Sequence, residues 1–205
     1  YLQYLFTNDL SKAEVNQVMY TMMCYPDGGV VDDLLAYKFS DDEYLLVINA
    51  ANTDKDIKWM IDNKKDFNII IENISDQTSI MAVQGPSAEK ILQQLTDFDL
   101  SSLKPNTFER NVTFAGKECL ISRTGYTGED GFEVYAKAED TVEIWNKILE
   151  AGKEYGLKPA GLGARDTLRF EASMPLYGNE ISEDINPLEA GLKFFVKLDK
   201  AEDFI

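Results

Sequence analysis

The stretch GGVVDDL, residues 28 to 34, sets two carboxylates side by side in an otherwise apolar run. The two glycines favour a turn because glycine tolerates positive φ, and the apolar residues after them predict a strand over 30–38. Side chains alternate between the two faces of a strand, so Asp33 shares a face with Val31 and Leu35 while Asp32 lies on the other. We therefore expect Asp33 to have the drier surroundings. A carboxylate in such a place needs a partner or a function, because burying it alone costs several kcal/mol.

Composition indicates a globular chain and excludes several kinds of active site. With 205 residues, 44% of them hydrophobic, the chain can form one large or two small domains. It has no histidine, and its two cysteines lie far apart, which excludes a Ser/His/Asp triad, a Cys/His dyad and a CxxC or HExxH metal site. The formal charge of −16 disfavours nucleic acid and anionic membrane surfaces as partners. We find neither a membrane span nor a secretion signal, so we expect a cytoplasmic protein.

Hydrophobic patterning predicts an α+β fold in which strands pair antiparallel. Helical patterns begin near Thr53, Pro86 and Glu139, and the last of them ends at Gly156. Two strands are expected to form a hairpin across Ala115-Gly116-Lys117. The predicted strands cover residues 30–38, 44–48, 68–74, 79–83, 110–115, 118–123, 131–136 and 192–198.

A second unusual stretch is SRTGYTGEDGFEVY, residues 122 to 135. Its glycines, Gly125, Gly128 and Gly131, allow the backbone to approach another group closely. The loop lacks a P-loop lysine and leads into a strand, so it does not resemble a phosphate-binding loop. Glu133 lies beside an aromatic residue on that strand, where its carboxylate suits a planar heterocycle with N–H donors. The alternative is that Glu133 belongs to a solvated sheet face.

A third stretch, residues 159 to 181, contains a predicted helix with Arg165 and Arg169 one turn apart. Asp166 and Glu171 are candidate partners for them. Surface ion pairs of this kind are common and contribute little to stability. The apolar residues of this helix leave few positions for an exposed face, so we expect at least one arginine to be partly buried against a carboxylate.

Five stretches together resemble one protein family: GGVVDDL, VINAANTDKD, AVQGPSA, SRTGYTGEDGFEVY and GARDTLRFEASMPLYGNEI. In this order they are similar to the glycine cleavage system T protein family, and the resemblance covers nearly all of residues 1–205. It implies a folate-binding aminomethyltransferase fold of ferredoxin-like antiparallel sheets with packed helices, incomplete at both ends. The implied domains are 1–100, part of a first domain without its N-terminal segment; 101–190, a ferredoxin-like second domain; and 191–205, a strand returning to the core.

The resemblance also implies an activity. Members of this family transfer the methylene carbon of an aminomethyl group from the lipoylated H protein to tetrahydrofolate, release ammonia and use no metal. Position by position, Asp33 matches the catalytic aspartate, Glu133 and Arg165 match folate-contacting residues, and Asn49 and Tyr126 match further pocket positions. The implied location is the cytoplasm, or the mitochondrial matrix in a eukaryote.

Three alternatives stay open on the sequence. Folate-dependent demethylases share the architecture but use another one-carbon donor. A non-catalytic folate-binding relative shares the fold without the transfer chemistry. The third alternative is that the 205-residue chain is by itself an inactive fragment, because a binding site requires a concave enclosure and part of the pocket wall lies outside it.

Overall fold

The computed structural model describes all residues from 1 to 205, and the chain divides into two compact units. Unit 1 consists of Tyr1–Asn73 together with Pro175–Ile205, and unit 2 consists of Ile74–Met174. The domain bounds at residues 100 and 190 are expectations from the family resemblance. The two units are defined by contacts within this chain, so those bounds stay a prediction. The longest helix has 12 residues, whereas a bilayer span needs about 20, and no helix is a candidate for crossing a membrane.

Unit 1 is built around a three-stranded antiparallel sheet in the order β1-β2-β3. The strands are β1 (Val18–Cys24), β2 (Val30–Lys38) and β3 (Tyr44–Val47), and the helices are α1 (Leu2–Leu5) and α2 (Thr53–Asp62). One buried cluster includes Phe6, Met23, Leu34 and Met60, and a smaller one joins Met22 and Val30 to Ile181. The segment after residue 174 therefore contributes to the core of the same unit as the N-terminal strands.

Unit 2 contains a four-stranded antiparallel sheet in the order β4-β7-β6-β5. Its strands are β4 (Thr78–Gln84), β5 (Phe108–Phe114), β6 (Lys117–Ser122) and β7 (Gly131–Lys137). Its helices are α3 (Ala88–Leu92), α4 (Thr141–Gly152) and α5 (Leu162–Glu171). Buried Leu92 and Ile144 from α3 and α4 belong to one cluster with Ile121 and Phe132 from the sheet, so this sheet and two helices form a single core.

Two local predictions are confirmed by backbone geometry. The hairpin between β5 and β6 turns at Ala115 and Gly116, with φ values of 51° and 78°, as a two-residue turn between right-twisted strands requires. The segment after α4 ends at Gly156 with a φ of 74°, the left-handed conformation that glycine adopts most easily at a helix terminus. The α+β class with antiparallel sheets is likewise confirmed.

Two predicted strands are wrong, and one strand was not predicted. Residues 68–74 form no ladder, and Ile70 is 95% exposed, because β-branched residues favour a strand only where a partner strand can pair with it. Residues 192–198, expected to return to the core as a strand, contain a short 3₁₀ turn at Lys193–Phe195. Strand β1 gives only a weak strand signal, because methionine and cysteine fill four of its seven positions and only Val18 and Thr21 are β-branched.

Gly29 allows a close crossing of two chain segments in unit 1. A Cβ at Gly29 would lie 1.8 Å from the carbonyl oxygen of Glu183, and the adjacent Val30 N–H donates to the Ser182 carbonyl at 2.8 Å. The backbone of the later segment therefore occupies the space that any side chain would need.

We expect Gly29→Ala to lower the free energy of unfolding by about 1–3 kcal/mol, the usual cost of overpacking a filled site. Denaturant unfolding followed by circular dichroism measures this change. Gly163→Ala is the matched control, because a Cβ there meets no atom within 4 Å and alanine favours the helix. Equal unfolding midpoints for Gly29→Ala and the parent chain would contradict the crossing.

Candidate functional site

The predicted site residues fall into two groups, one in each unit. Asp33 and Asn49 lie together in unit 1, joined by a hydrogen bond of 2.9 Å. Tyr126 and Arg165 lie together in unit 2, with the guanidinium carbon 4.5 Å from the ring centroid. Glu133 also belongs to unit 2, where its carboxylate accepts a hydrogen bond from Thr124.

The prediction that Asp33 has the drier surroundings is wrong, because Asp32 is the fully buried residue and Asp33 is partly exposed. Met23 pairs with Asp32 and Cys24 with Val30, which leaves Val31 as the extra residue of a β-bulge. The bulge displaces Val31, which packs in the same cluster as Leu34 and Ala36. From Asp32 to Ala36 the side chains alternate as expected, but the buried face is the one that carries Asp32, and the face of Asp33 and Leu35 stays partly open.

Asn49 links the two carboxylates of β2. It follows β3 and begins the turn that leads into α2, and the pairing of Leu35 with Val47 brings this end of β3 beside β2. Its Nδ2 lies 2.9 Å from Oδ1 of Asp32 and 2.9 Å from Oδ1 of Asp33, and its backbone N–H donates to Oδ2 of Asp32 at 3.3 Å. A single amide therefore sets the relative position of both acids.

Asp32 receives a further donor from the same turn. The Nδ2 group of Asn52 donates to its Oδ1 at 2.8 Å. A fully buried carboxylate is tolerated when such donors replace its hydration, and here they come from Asn49 and Asn52. The buried charge thus ties β2 to the start of α2.

Asp33 is held from the other side by Tyr20, whose hydroxyl donates to Oδ2 at 2.8 Å. Burial raises the pKa of the Asp33 carboxyl above its ordinary value, and the negative charge of Asp32 acts in the same direction. The hydrogen bonds from Tyr20 and Asn49 lower this pKa in part, because they stabilise the charged form. Asp33 is therefore a partly desolvated carboxylate with two defined donors.

A third carboxyl, Asp56, lies against Asp32. It is on α2 and is fully buried, and desolvation together with contact to Asp32 raises its pKa to about 9. Nearby, the Nζ of Lys55 donates to the Val31 carbonyl at 2.5 Å and lies 3.9 Å from the ring centroid of Tyr177. Lys55 thus lies beside the residue that precedes Asp32 on β2, and its charge also acts on Asp56.

Sequence reasoning missed Tyr20, Asn52 and Asp56. For two of them a signal was present, because Asn49, Asn52 and Asp56 are spaced at i, i+3 and i+7, which places polar groups on one side of a helical segment. Tyr20 had no such signal, since its position opposite Leu35 depends on the register between β1 and β2.

In unit 2, the carboxylate of Glu133 is positioned by two hydroxyl groups. Thr124 Oγ1 donates to Oε2 of Glu133 at 2.5 Å and lies 2.6 Å from Oγ of Ser122. Thr124 and Ser122 are buried, whereas Glu133 is partly exposed. Register explains the arrangement, because Ser122 on β6 pairs directly with Glu133 on β7.

The glycines of the 122–135 stretch do allow a close approach, and the approaching group is Gln84. A Cβ at Gly125 or at Gly131 would lie 1.9 or 2.3 Å from Oε1 of Gln84. The Nε2 group of Gln84 donates to the carbonyls of Thr124 and Phe132, each at 3.2 Å. These two glycines therefore make room for a side-chain amide that pins the loop to β4 and β7.

The two arginines of α5 have different environments. Arg165 is exposed and stacks over Tyr126, a cation–π contact. Arg169 is buried, and its Nε donates to Oδ1 of Asp166 at 2.8 Å while NH1 donates to the Met174 carbonyl at 3.1 Å. The prediction of one buried arginine paired with a carboxylate is confirmed for Arg169.

The cysteines are poor candidates for chemistry. Cys24 and Cys119 are free and buried, and burial raises the pKa of the two thiols to about 12 and about 11, which disfavours the reactive thiolate. No group of three or more Cys, Asp or Glu side chains is arranged to hold a metal ion. The hydrogen-bonded carboxylates of Asp32, Asp33 and Glu133 are therefore better candidates for chemistry than the cysteines.

The chain is similar to known proteins along nearly its whole length. The family model described as GCVT N-terminal domain matches residues 1–200. The aminomethyltransferase of Thermoanaerobacter sp. (strain X514) is 66% identical over 200 residues, which is 98% of this chain and 54% of the relative. The aminomethyltransferase of Clostridium botulinum (strain Kyoto / Type A2) is 59% identical over 205 residues, which is 100% of this chain and 55% of the relative. The chain thus spans about half the length of the curated relatives it matches.

Two solved structures share the fold. The glycine cleavage system aminomethyltransferase T from Bartonella henselae aligns with a TM-score of 0.81 at 28% identity, over 95% of this chain and 51% of that one. The heterotetrameric sarcosine oxidase from Corynebacterium sp. U-96 aligns with a TM-score of 0.52 at 19% identity, over 73% of this chain and 70% of that one. The second likeness concerns the fold alone.

We expect Tyr20→Phe to raise the pKa of Asp33 further, because the carboxylate loses the hydroxyl donor that stabilises its charge. Titration of the carboxyl carbon by NMR in ¹³C-aspartate-labelled protein measures this directly. Tyr155→Phe serves as the control, since Tyr155 is exposed and lies in unit 2. A pKa of Asp33 that stays unchanged or falls would show that the Tyr20 hydroxyl does not stabilise it.

Proposed function

The chain belongs to the family of the GCVT N-terminal domain, and on this premise we propose that it works as part of a glycine cleavage system aminomethyltransferase. The proposed reaction moves the methylene carbon of an aminomethyl group, carried on the lipoyl arm of the H protein, to tetrahydrofolate. Support comes from relatives named aminomethyltransferase and from the structural neighbour named glycine cleavage system aminomethyltransferase T. Folate-dependent demethylation and non-catalytic folate binding are less favoured, because the curated relatives carry the transferase name.

The observation that carries the proposal is the environment of Asp33. Its carboxylate is partly exposed and is held by two donors, the hydroxyl of Tyr20 and the amide of Asn49. A fixed negative charge of this kind stabilises positive charge that develops in a transition state, without having to reorganise during the reaction. Asp33 is the proposed catalytic residue.

The proposed reaction consists of two successive substitutions at the transferred carbon. Two C–N bonds form between the methylene carbon and the two reacting nitrogens of tetrahydrofolate, and the bonds from that carbon to sulfur and to the amino nitrogen break. The two N–H protons of the folate end on ammonia and on the lipoyl thiol, so atoms and electrons balance. The intermediate iminium carries a positive charge, and Asp33 would stabilise it and orient the attacking folate amine.

Binding of the folate is proposed for the residues of unit 2. Glu133, with one carboxylate oxygen held by Thr124, would accept hydrogen bonds from N–H groups of the pterin ring. Arg165, exposed and stacked on Tyr126, would pair with an anionic or carbonyl group of the ligand. Asn49 is proposed to contribute through Asp33.

The partners proposed for the whole protein are tetrahydrofolate, which acts as a substrate, and the lipoylated H protein. The reaction as written requires no metal. A formal charge of −16 opposes binding to nucleic acid and to anionic membranes. The proposed location is the cytoplasm, or the mitochondrial matrix if the source is a eukaryote, in a pathway of glycine catabolism and one-carbon metabolism.

In an enzyme that contains this chain at the length of its relatives, we expect Asp33→Asn to reduce turnover by about 100- to 1,000-fold. The amide keeps the shape of the side chain but lacks the negative charge, so tetrahydrofolate should still bind. Methylenetetrahydrofolate formation with aminomethylated H protein measures turnover. Asp42→Asn, at an exposed position of the same unit, is the control. Turnover equal to that of the parent enzyme would remove Asp33 from the catalytic role.

We expect Glu133→Ala to weaken tetrahydrofolate binding by about 10- to 100-fold, the equivalent of a hydrogen bond to a charged group. Isothermal titration calorimetry measures the affinity. Glu129→Ala removes the same charge from an exposed position in the preceding loop and should leave the affinity unchanged. The assignment of Glu133 fails if both variants bind folate as the parent protein does.

A further inference from the structure

Asp56 is a buried carboxyl group that the proposed transfer reaction does not use. Its side chain is fully buried on α2, and neither of its carboxyl oxygens meets an N–H or O–H donor. The neighbouring carboxyl of Asp32, after burial itself, is the largest influence that raises the pKa of Asp56. An ionised carboxylate without donors in such a place would be strongly unfavourable.

Two adjacent buried carboxyls cannot both be ionised, because the two negative charges repel each other in surroundings of low dielectric constant. Their hydrogen-bond partners indicate which one holds the proton. Asp32 accepts from the amide and backbone N–H of Asn49 and from the amide of Asn52, contacts that suit a charged acceptor. Asp56 has no such donors, and as the neutral acid it becomes a donor itself.

We propose that Asp56 is protonated at neutral pH, donates its proton in a hydrogen bond to Asp32, and thereby acts as a positioning residue for Asp33. The link passes through Asn49, whose Nδ2 lies 2.9 Å from both Asp32 and Asp33. A neutral Asp56 donates to Asp32, which also accepts from Asn49 and Asn52, and this donation helps to hold Asp32 in place. A neutral Asp56 also adds no third negative charge beside Asp33. The effect on Asp33 chemistry rests on the proposed function, whereas the shared proton does not.

Four titratable groups from neighbouring segments act on the Asp56 carboxyl. Asp32 and Asp33 come from β2, Tyr25 follows β1, and Lys55 precedes Asp56 on α2. The Lys55 ammonium lowers the pKa of Asp56 less than burial and the neighbouring Asp32 raise it. Its Nζ also makes its own contacts, with the Val31 carbonyl and with the ring of Tyr177. The arrangement therefore favours the neutral acid.

The proton on Asp56 predicts how stability depends on pH. Folding raises the pKa of this carboxyl, so between its unfolded value of about 4 and its folded value the native chain holds one proton more than the unfolded chain. Stability from this group is complete below the unfolded pKa and decreases as pH rises through that window. The unfolding equilibrium constant should therefore gain up to about tenfold per pH unit from Asp56 alone.

Denaturant unfolding of the 205-residue chain from about pH 5 to about pH 8 tests this dependence. Asp56→Asn replaces the protonated acid by an isosteric neutral donor, so it should remove the contribution of Asp56 and make the variant increasingly more stable than the parent as pH rises. Asp54→Asn is the matched control on an exposed position of the same helix, and it should keep the dependence of the parent chain. Parallel pH profiles for Asp56→Asn and the parent would overturn the proposal.

A direct test is the infrared carbonyl band of a protonated carboxylic acid at neutral pH. The band should be present in the parent chain and in Asp54→Asn and absent from Asp56→Asn. A parent spectrum without the band would overturn the proposal. Because this measurement needs neither folate nor H protein, it stands independently of the proposed enzymatic function.

The positioning role is tested by NMR titration of Asp33 in ¹³C-aspartate-labelled protein. Asp56→Asn should leave the pKa of Asp33 unchanged, because one neutral donor replaces another. Asp56→Ala removes the donor to Asp32 and should shift the Asp33 titration, and it should raise the unfolding constant about 10- to 100-fold. A fall in the pKa of Asp33 in Asp56→Asn would mean that a negative charge had been removed, and would overturn the proposal. If Asp56→Ala does not fold, the comparison between the parent and Asp56→Asn decides.

Discussion

The buried carboxylate of Asp32 is the constraint on which the acidic site depends. A charge without solvent must be surrounded by donors, and here the donors are the amides of Asn49 and Asn52 in the turn after β3. That requirement fixes the path of the chain from β3 into α2. It also brings the Asn49 amide to Asp33, so a structural demand of one aspartate determines the geometry of its neighbour.

The division of labour between the two adjacent acids follows from this constraint. Asp32 is fully buried and has its hydrogen-bonding capacity directed inward, towards the turn and α2. Asp33 is partly exposed and is held at its edges by Tyr20 and Asn49. A carboxylate that is fixed and still accessible can stabilise charge on a ligand, which a fully enclosed one cannot. The pair therefore combines one structural and one chemically available acid.

Both units contain glycines at which a distant part of the chain approaches the backbone closely. In unit 1, Gly29 lets the segment around Glu183 cross the start of β2. In unit 2, Gly125 and Gly131 leave room for the amide of Gln84, which bonds the loop that precedes Glu133. The sequence indicated a close approach at Gly125 and Gly131 and only a turn at Gly29, and in each case the partner lies 40 or more positions away in the chain, so only folding brings it near.

By itself the sequence determined the α+β class, the position of β2, the β5–β6 hairpin and the helix stop at Gly156, because each depends on local periodicity or on a glycine conformation. The resemblance to a known family, and not local periodicity, selected Asn49 and Tyr126, and these residues do meet Asp33 and Arg165. Tertiary structure alone decided that Asp32 is the more buried acid, because the face of β2 that carries Asp32, Leu34 and Ala36 packs into the core of unit 1, and alternation by itself does not say which face is buried. It alone decided that the β-branched run at 68–74 forms no strand, since a strand requires a partner and pairing is not a local property. The contact of Asp56 with Asp32 likewise depends on how α2 packs on the sheet, which no short stretch of sequence encodes.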